Sequence, residues 1–84
     1  MSKQTLALQS LSMDLLRVAI GRYRGQMEMA ERFTFEAKKR LAEVPDFELH
    51  SQITQSLNSS AERSAEDLLM YSTLVRNRTN LSLV

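Results

Sequence analysis

The sequence predicts an all-α protein that folds as an antiparallel two-helix hairpin. The chain has 84 residues with only two glycines and one proline, which are too few turn-forming residues for a sheet protein. Apolar residues recur at helical spacing on both sides of that single proline, Pro45. We therefore predict one domain over residues 1–84, with helices over about 6–43 and 46–78 and frayed ends over about 1–5 and 79–84.

Pro45 marks the predicted turn between the two helices. Proline has no backbone N–H and forces the preceding residue out of the α region, so the first helix should end near Glu43 or Val44. Proline also suits the first position of a helix, and Asp46 and Glu48 would then lie at the positive end of the second helix dipole. A stop and a start within about four residues are typical of an αα-hairpin.

The first predicted helix carries a continuous apolar stripe with a period of about 3.6 residues. The stripe consists of Leu8, Leu11, Leu15, Ala19, Tyr23, Met27, Ala30, Phe33 (or Thr34), Ala37, Leu41 and Val44. A second stripe lies beside it toward the N-terminal end and consists of Leu6, Met13, Leu16, Ile20 and Met29. This apolar surface is wider than one neighbouring helix would cover, which predicts an additional partner.

Two glycines, Gly21 and Gly25, interrupt the first predicted helix, and each interior glycine costs roughly 1 kcal/mol relative to alanine. One interpretation is a close-approach site, where another helix's bulky side chains come near the backbone. The other is a kink or break at residues 21–25 that would give three helices. We favour the close approach, because the helical period continues through the segment without a phase shift.

The second predicted helix has its own apolar stripe. It consists of Leu49, Ile53, Leu57, Ala61, Ser64 (or Ala65), Leu68, Tyr71 and Val75. Its middle, residues 58–65, is small and polar, which suits close packing against bulky residues of the first helix.

The residues offer little for catalysis. The chain has no cysteine and one histidine, His50, so a nucleophile–base pair or a transition-metal site has almost no ligands. The Glu-x-x-His pairs of di-metal helical bundles are absent, and the glycines do not form a phosphate-binding loop. We therefore predict that the protein is not an enzyme and uses no catalytic residue, cofactor, metal or small-molecule substrate.

Composition also bears on the compartment. The lack of cysteines fits a reducing environment. The apolar residues near the N-terminus are interrupted by Gln9, Ser10, Ser12, Asp14 and Arg17, a pattern that suits neither a signal peptide nor a membrane span. We predict a cytoplasmic protein without a membrane span.

Nucleic-acid binding is the alternative from another functional class. The residues that would carry it are Arg17, Arg22, Arg24, Lys38, Lys39 and Arg40. The net charge is only +1, and Glu28 and Glu36 stand four residues before Arg32 and Arg40, a spacing typical of self-paired helix surface. We therefore rank a nucleic-acid partner below a protein partner.

The apolar surface itself is the strongest functional signal. A lone two-helix hairpin buries too little to be stable, and methionine suits a surface that adapts to a partner. We predict that the hairpin is completed to a bundle by self-association or by a partner helix, as an adaptor, assembly or chaperone-type subunit. The predicted partner-binding residues are Leu16, Ile20, Gly21, Gly25, Met27, Leu68 and Leu69.

The outline resembles the small helical-hairpin proteins of type III secretion systems. The likeness lies in the turn Leu41-Ala42-Glu43-Val44-Pro45-Asp46, in the alternation of apolar and small residues after it, and in Leu68-Leu69-Met70-Tyr71. The resemblance implies a co-chaperone that holds needle subunits in the cytoplasm or, in second place, a needle subunit. Needle subunits usually have a second proline in the turn, and their C-termini belong to the helical packing, whereas residues 77–84 are predicted to fray. The resemblance implies no role for an individual residue.

Overall fold

The computed structural model describes residues 2–59 and 63–82, and over those residues it consists of four α-helices. These are α1 (Lys3–Tyr23), α2 (Met27–Ala42), α3 (His50–Asn58) and α4 (Arg63–Ser82). The described chain is all-α, as predicted. The two-helix hairpin is not formed, because each of the two predicted long helices is divided into two shorter ones.

The division of the first predicted helix lies at Gly25, which has a φ of 73°. The backbone N–H of Gly25 donates to the Arg22 carbonyl, and that of Gln26 donates to the Gly21 carbonyl at 2.8 Å. This is a Schellman motif, which ends a helix with a left-handed residue and favours glycine there. The prediction of one helix over 6–43 is therefore wrong, and the break at 21–25 that we ranked second is the observed structure.

The segment after α2 follows the prediction only in part. α2 ends at Ala42, just before Pro45, as predicted. Pro45 does not open the next helix, which begins at His50. Between them the chain makes successive turns that bury Val44 and pack Phe47 against the core. Burial of these two apolar side chains therefore replaces the predicted first turn of a helix.

The division of the second predicted helix follows Asn58, where α3 ends. Ser59 is extended, with φ −85° and ψ 138°, and α4 begins at Arg63. Serine and asparagine compete with the helical backbone for hydrogen bonds, which weakens a helix in this small, polar stretch. The prediction of one helix over 46–78 is therefore wrong, and its stripe residue Ala61 lies outside the described residues.

Both ends of the described chain are more helical than predicted. α1 begins at Lys3, and the Oγ of Ser2 accepts a hydrogen bond from the Thr5 backbone N–H at 3.0 Å. This is a regular N-cap. α4 continues past the predicted end at Arg78 to Ser82, and residues 1, 83 and 84 lie outside the described residues.

The four helices pack as a small closed bundle. α1 packs against α2 and α4, and α3 packs against the same two helices. The core residues with almost no solvent exposure are Leu11, Leu15, Val18, Ala37, Ile53, Leu68 and Val75. Burying a leucine or isoleucine side chain contributes about 1.5–3 kcal/mol, so this cluster supplies the main stabilisation of the fold.

Candidate binding face on α1 and α4

α1 carries an exposed apolar stripe, which points away from the core and shares Met13, Leu16 and Ile20 with the predicted second stripe. Met13, Leu16, Ile20 and Tyr23 follow one another at i, i+3, i+7 and i+10, which places them along one side of the helix. Met13 is 55% exposed, Leu16 36% and Tyr23 84%, and Ile20 is half-buried. These are large apolar side chains that the bundle itself covers only in part.

α4 has a matching stripe at the same spacing, formed by Glu66, Leu69, Thr73 and Arg76. All four residues are exposed, and Leu69 retains 49% of its surface. The stripe is acidic at its first residue, apolar at its second and basic at its last.

The two stripes meet in a groove of about 370 Å³. Its lining residues are Ala19, Ile20, Tyr23, Arg24, Ala65, Glu66 and Leu69. Ala19 and Ala65 are buried and small, so they form a floor between the larger side chains of α1 and α4. An apolar floor with charged residues at the rim suits the apolar side of an amphipathic helix. We call this groove and the two stripes the α1/α4 face.

A larger cleft of about 680 Å³ lies between the start of α1 and the turn at Pro45. Lys3, Arg40, Glu43 and Asp46 contribute to its lining, so charged side chains are distributed around it. Size alone would favour this cleft. We favour the α1/α4 face because exposed large apolar side chains are concentrated there, and such patches mark interaction sites.

Arg22 fixes the end of α1 against the other half of the bundle. Its Nη1 donates to the carbonyls of Ser56, at 3.0 Å, and Ser59, and to the Oγ of Ser64 at 2.7 Å. Its Nη2 donates to the Leu57 carbonyl at 2.7 Å. The last carbonyls of a helix lack partners within the helix, so the guanidinium caps α3 and ties it to α4. Burial lowers the pKa of Arg22, because the charged guanidinium loses hydration.

The structure brings three of the predicted partner-binding residues together, since Leu16, Ile20 and Leu69 all belong to the α1/α4 face. Leu68 lies elsewhere, because it is fully buried in the core. Met27 is half-exposed at the start of α2 and lines a separate cleft between Gln26 and Phe33.

The two glycines have different surroundings. A Cβ added at Gly21 would lie 3.1 Å from the Ala30 Cβ and 3.2 Å from the Ala30 nitrogen. A close approach therefore occurs at Gly21, but it lies between α1 and α2, which were predicted to be one continuous helix, and not against the bulky side chains of a separate helix as we expected. Gly25 has no atom within 4 Å of an added Cβ and serves the turn instead.

Sequence reasoning missed Tyr23 as part of the exposed surface and placed it in the core stripe. It is the last residue of α1 and lies within the Schellman motif. A tyrosine two residues before a glycine stop is the signal that could have identified it, because the core stripe ends where the helix ends.

A set of charged side chains lies between α1 and α2. Arg17 pairs with Asp14 at 3.7 Å, and its guanidinium carbon lies 5.0 Å from the centroid of the Phe33 ring. Asp14 is buried, and this burial raises the pKa of its carboxyl group, although Arg17 and Arg40 oppose the rise. Arg40 in turn pairs with Glu43 at 3.4 Å.

The remaining candidate nucleic-acid-binding residues lie in other surroundings. Lys39 pairs with Glu36 at 3.7 Å, and its Nζ lies 4.7 Å from the centroid of the Phe35 ring. Lys38 is exposed on α2, and Arg24 lines the α1/α4 groove. With Arg22 capping α3, the six basic residues do not share one environment, and nucleic-acid binding stays an untested prediction.

Comparison of the chain with protein-family models, with curated proteins and with solved structures gave no match. The resemblance to type III secretion proteins therefore stays a prediction. Among the helices of residues 2–59 and 63–82, none has the length and apolar character needed to cross a membrane.

Proposed function

We propose that the protein is a non-enzymatic helical interaction module, acting as an adaptor, assembly or chaperone-type subunit. It binds the apolar side of another helix through the α1/α4 face. The observation that carries this proposal is the groove between Ile20, Tyr23 and Leu69: the Tyr23 and Leu69 side chains remain exposed and Ile20 is only half-buried, although the core is already formed.

The energetics favour binding at this face. A side chain such as Leu69, which is 49% exposed, still has about half of its transfer free energy to gain, on the order of 1 kcal/mol. Several such residues lie side by side, so their contributions combine in one interface. Tyr23 adds an aromatic ring at the end of the groove, and tyrosine is enriched among residues that dominate binding energy.

The face is also preorganised. Arg22 holds the last turn of α1 against α3 and α4, and the Schellman motif at Gly25 fixes the position at which α1 ends. Tyr23 lies between these two restraints. A partner helix would therefore meet groove walls that are already in place, which lowers the entropic cost of binding.

Site-specific photo-crosslinking in cells tests this proposal. A photoreactive phenylalanine analogue would replace Leu16 or Leu69 on the face, or Glu31, which is exposed on α2, as the control. We expect discrete adducts from positions 16 and 69 that are weak or absent from position 31. Adding Leu16→Asp to the position-69 variant should remove the adduct. Equal labelling from all three positions, or none from the face, would contradict the proposal.

A further inference from the structure

The α4 stripe has a charge order that is complementary to itself. Glu66 and Arg76 stand at its two ends, and Leu69 and Thr73 lie between them. Ten residues of α-helix separate the two charges by about 15 Å. Neither Glu66 nor Arg76 forms an ion pair with any residue that the structure describes.

A two-fold axis satisfies this order when it runs perpendicular to α4 and passes near the middle of the stripe. Two copies then pack antiparallel, so Glu66 of each copy lies across from Arg76 of the other. A parallel arrangement would instead place Glu66 against Glu66 and Arg76 against Arg76, which is repulsive. The interface closes upon itself because both copies use the same surface.

The α1 stripe fits the same axis. Antiparallel α1 helices would bring Leu16 of one copy beside Ile20 of the other, and Met13 beside Tyr23. Arg24 would meet the first part of the partner's α1, where residues 4–13 are uncharged. The symmetry therefore pairs apolar with apolar side chains and creates no like-charge contact at Arg24.

From these observations we infer that the occupant of the α1/α4 face is a second copy of this chain, packed antiparallel about a two-fold axis. The Glu66 and Arg76 side chains select this arrangement, and the apolar stripes supply most of the affinity. This inference rests on the proposed function and specifies its partner.

Charge reversal in the purified full chain tests the inference, with the dimer dissociation constant measured by sedimentation equilibrium at low salt. Glu66→Arg and Arg76→Glu should each weaken the dimer about tenfold or more, because each creates two like-charge contacts. The chain with both reversals should dimerise nearly as well as the wild type. An equimolar mixture of the two single variants should form a mixed dimer, since each supplies the charge that the other lacks.

Asp67→Arg is the matched control, because it makes the same change in charge about 100° around the helix from Glu66. It should have a much smaller effect than Glu66→Arg, and the difference should shrink in about 1 M salt, where the Debye length is near 3 Å. A wild-type chain that remains monomeric at all concentrations would overturn the inference that a second copy occupies the α1/α4 face. A dimer that neither charge reversal weakens would overturn it as well. Crosslinks from positions 16 and 69 to a different protein would in that case leave the proposed function standing.

Discussion

The two sides of α1 are both apolar, but one is buried and the other remains exposed. Leu11, Leu15 and Val18 have no solvent exposure, whereas Met13 and Leu16 remain substantially exposed. Leu15 and Leu16 are adjacent in the chain and have the same side chain. What separates them is the neighbour, since the inward side packs against α2 and α4 and the outward side is left largely uncovered. An apolar stripe thus indicates where a helix needs a neighbour, and only the packing shows whether the fold supplies it.

The largest expected effect comes from truncating this adjacent pair. Leu15→Ala should lower the free energy of unfolding by about 2–5 kcal/mol, because it leaves a cavity in the core. Leu16→Ala should lower it by less than about 1 kcal/mol when the chain is dilute enough to be monomeric. Urea unfolding followed by circular dichroism measures both. Equal losses would show that the outward side of α1 is core after all.

Removing the Arg22 cap should have the next largest effect. Arg22→Ala should cost about 2–4 kcal/mol, because its charge-assisted hydrogen bonds to α3 and α4 are lost together. Arg24→Ala, two residues along on the exposed side, should cost less than about 0.5 kcal/mol. Thermal unfolding of the two variants compares them. Similar melting temperatures would mean that Arg22 does not hold α1 in place.

The glycine turn should show a smaller effect. Gly25→Ala should cost about 1 kcal/mol, because a residue with a Cβ is strained at a φ of 73°. Gly25→Asn should cost less, since asparagine tolerates the left-handed region better than alanine. Chemical denaturation of both variants gives this difference. If alanine stabilised the chain instead, a continuous helix through residue 25 would be the better description.

The smallest effect concerns Asp14, a charged residue on the buried side of α1. Burial raises the pKa of this carboxyl group above its ordinary 3.8. The folded state therefore keeps the proton on Asp14 to a higher pH than the unfolded state does. Its contribution to stability therefore falls as pH rises from about 3.8 through the folded pKa, and then stays constant. Asp14→Asn should remove this loss and be slightly more stable than the wild type at neutral pH. Unfolding measured across the acid range checks the sign, and a stability difference independent of pH would contradict it.

The sequence predicted the helical class and the end of α2 before Pro45. Three of the predicted partner-binding residues, Leu16, Ile20 and Leu69, lie on the α1/α4 face, and their role in binding stays a prediction. The apolar periodicity did not favour the break at Gly25 over a straight helix, because the stripe steps from Tyr23 to Met27, about one helical turn. A straight helix and two helices joined by a three-residue turn give the same spacing at that point. The stripe continues without a phase shift even though the chain reverses.

The adjacent residues Leu68 and Leu69 show a second feature that the sequence could not predict, namely which of two neighbouring apolar side chains is buried. Both fall on an apolar part of α4, and they lie about 100° apart around the helix. Which one is buried depends on the side from which α1 approaches, and Arg22 helps to set that approach through its contact with Ser64. An arginine that caps a helix 34 residues further along the chain leaves no local sequence signal.

The most direct test of the α1/α4 face is to measure the mass and the helicity of Leu16→Asp on the same sample, beside the wild type. Light scattering behind a sizing column gives the mass, and far-ultraviolet circular dichroism gives the helicity. We expect the wild type to be a dimer and Leu16→Asp to be a monomer with the same helical content, because a charge on the face opposes association without entering the core. A dimeric wild type whose Leu16→Asp variant keeps the dimer mass would contradict self-association through this face, and a variant that loses its helices would contradict the placement of Leu16 outside the core.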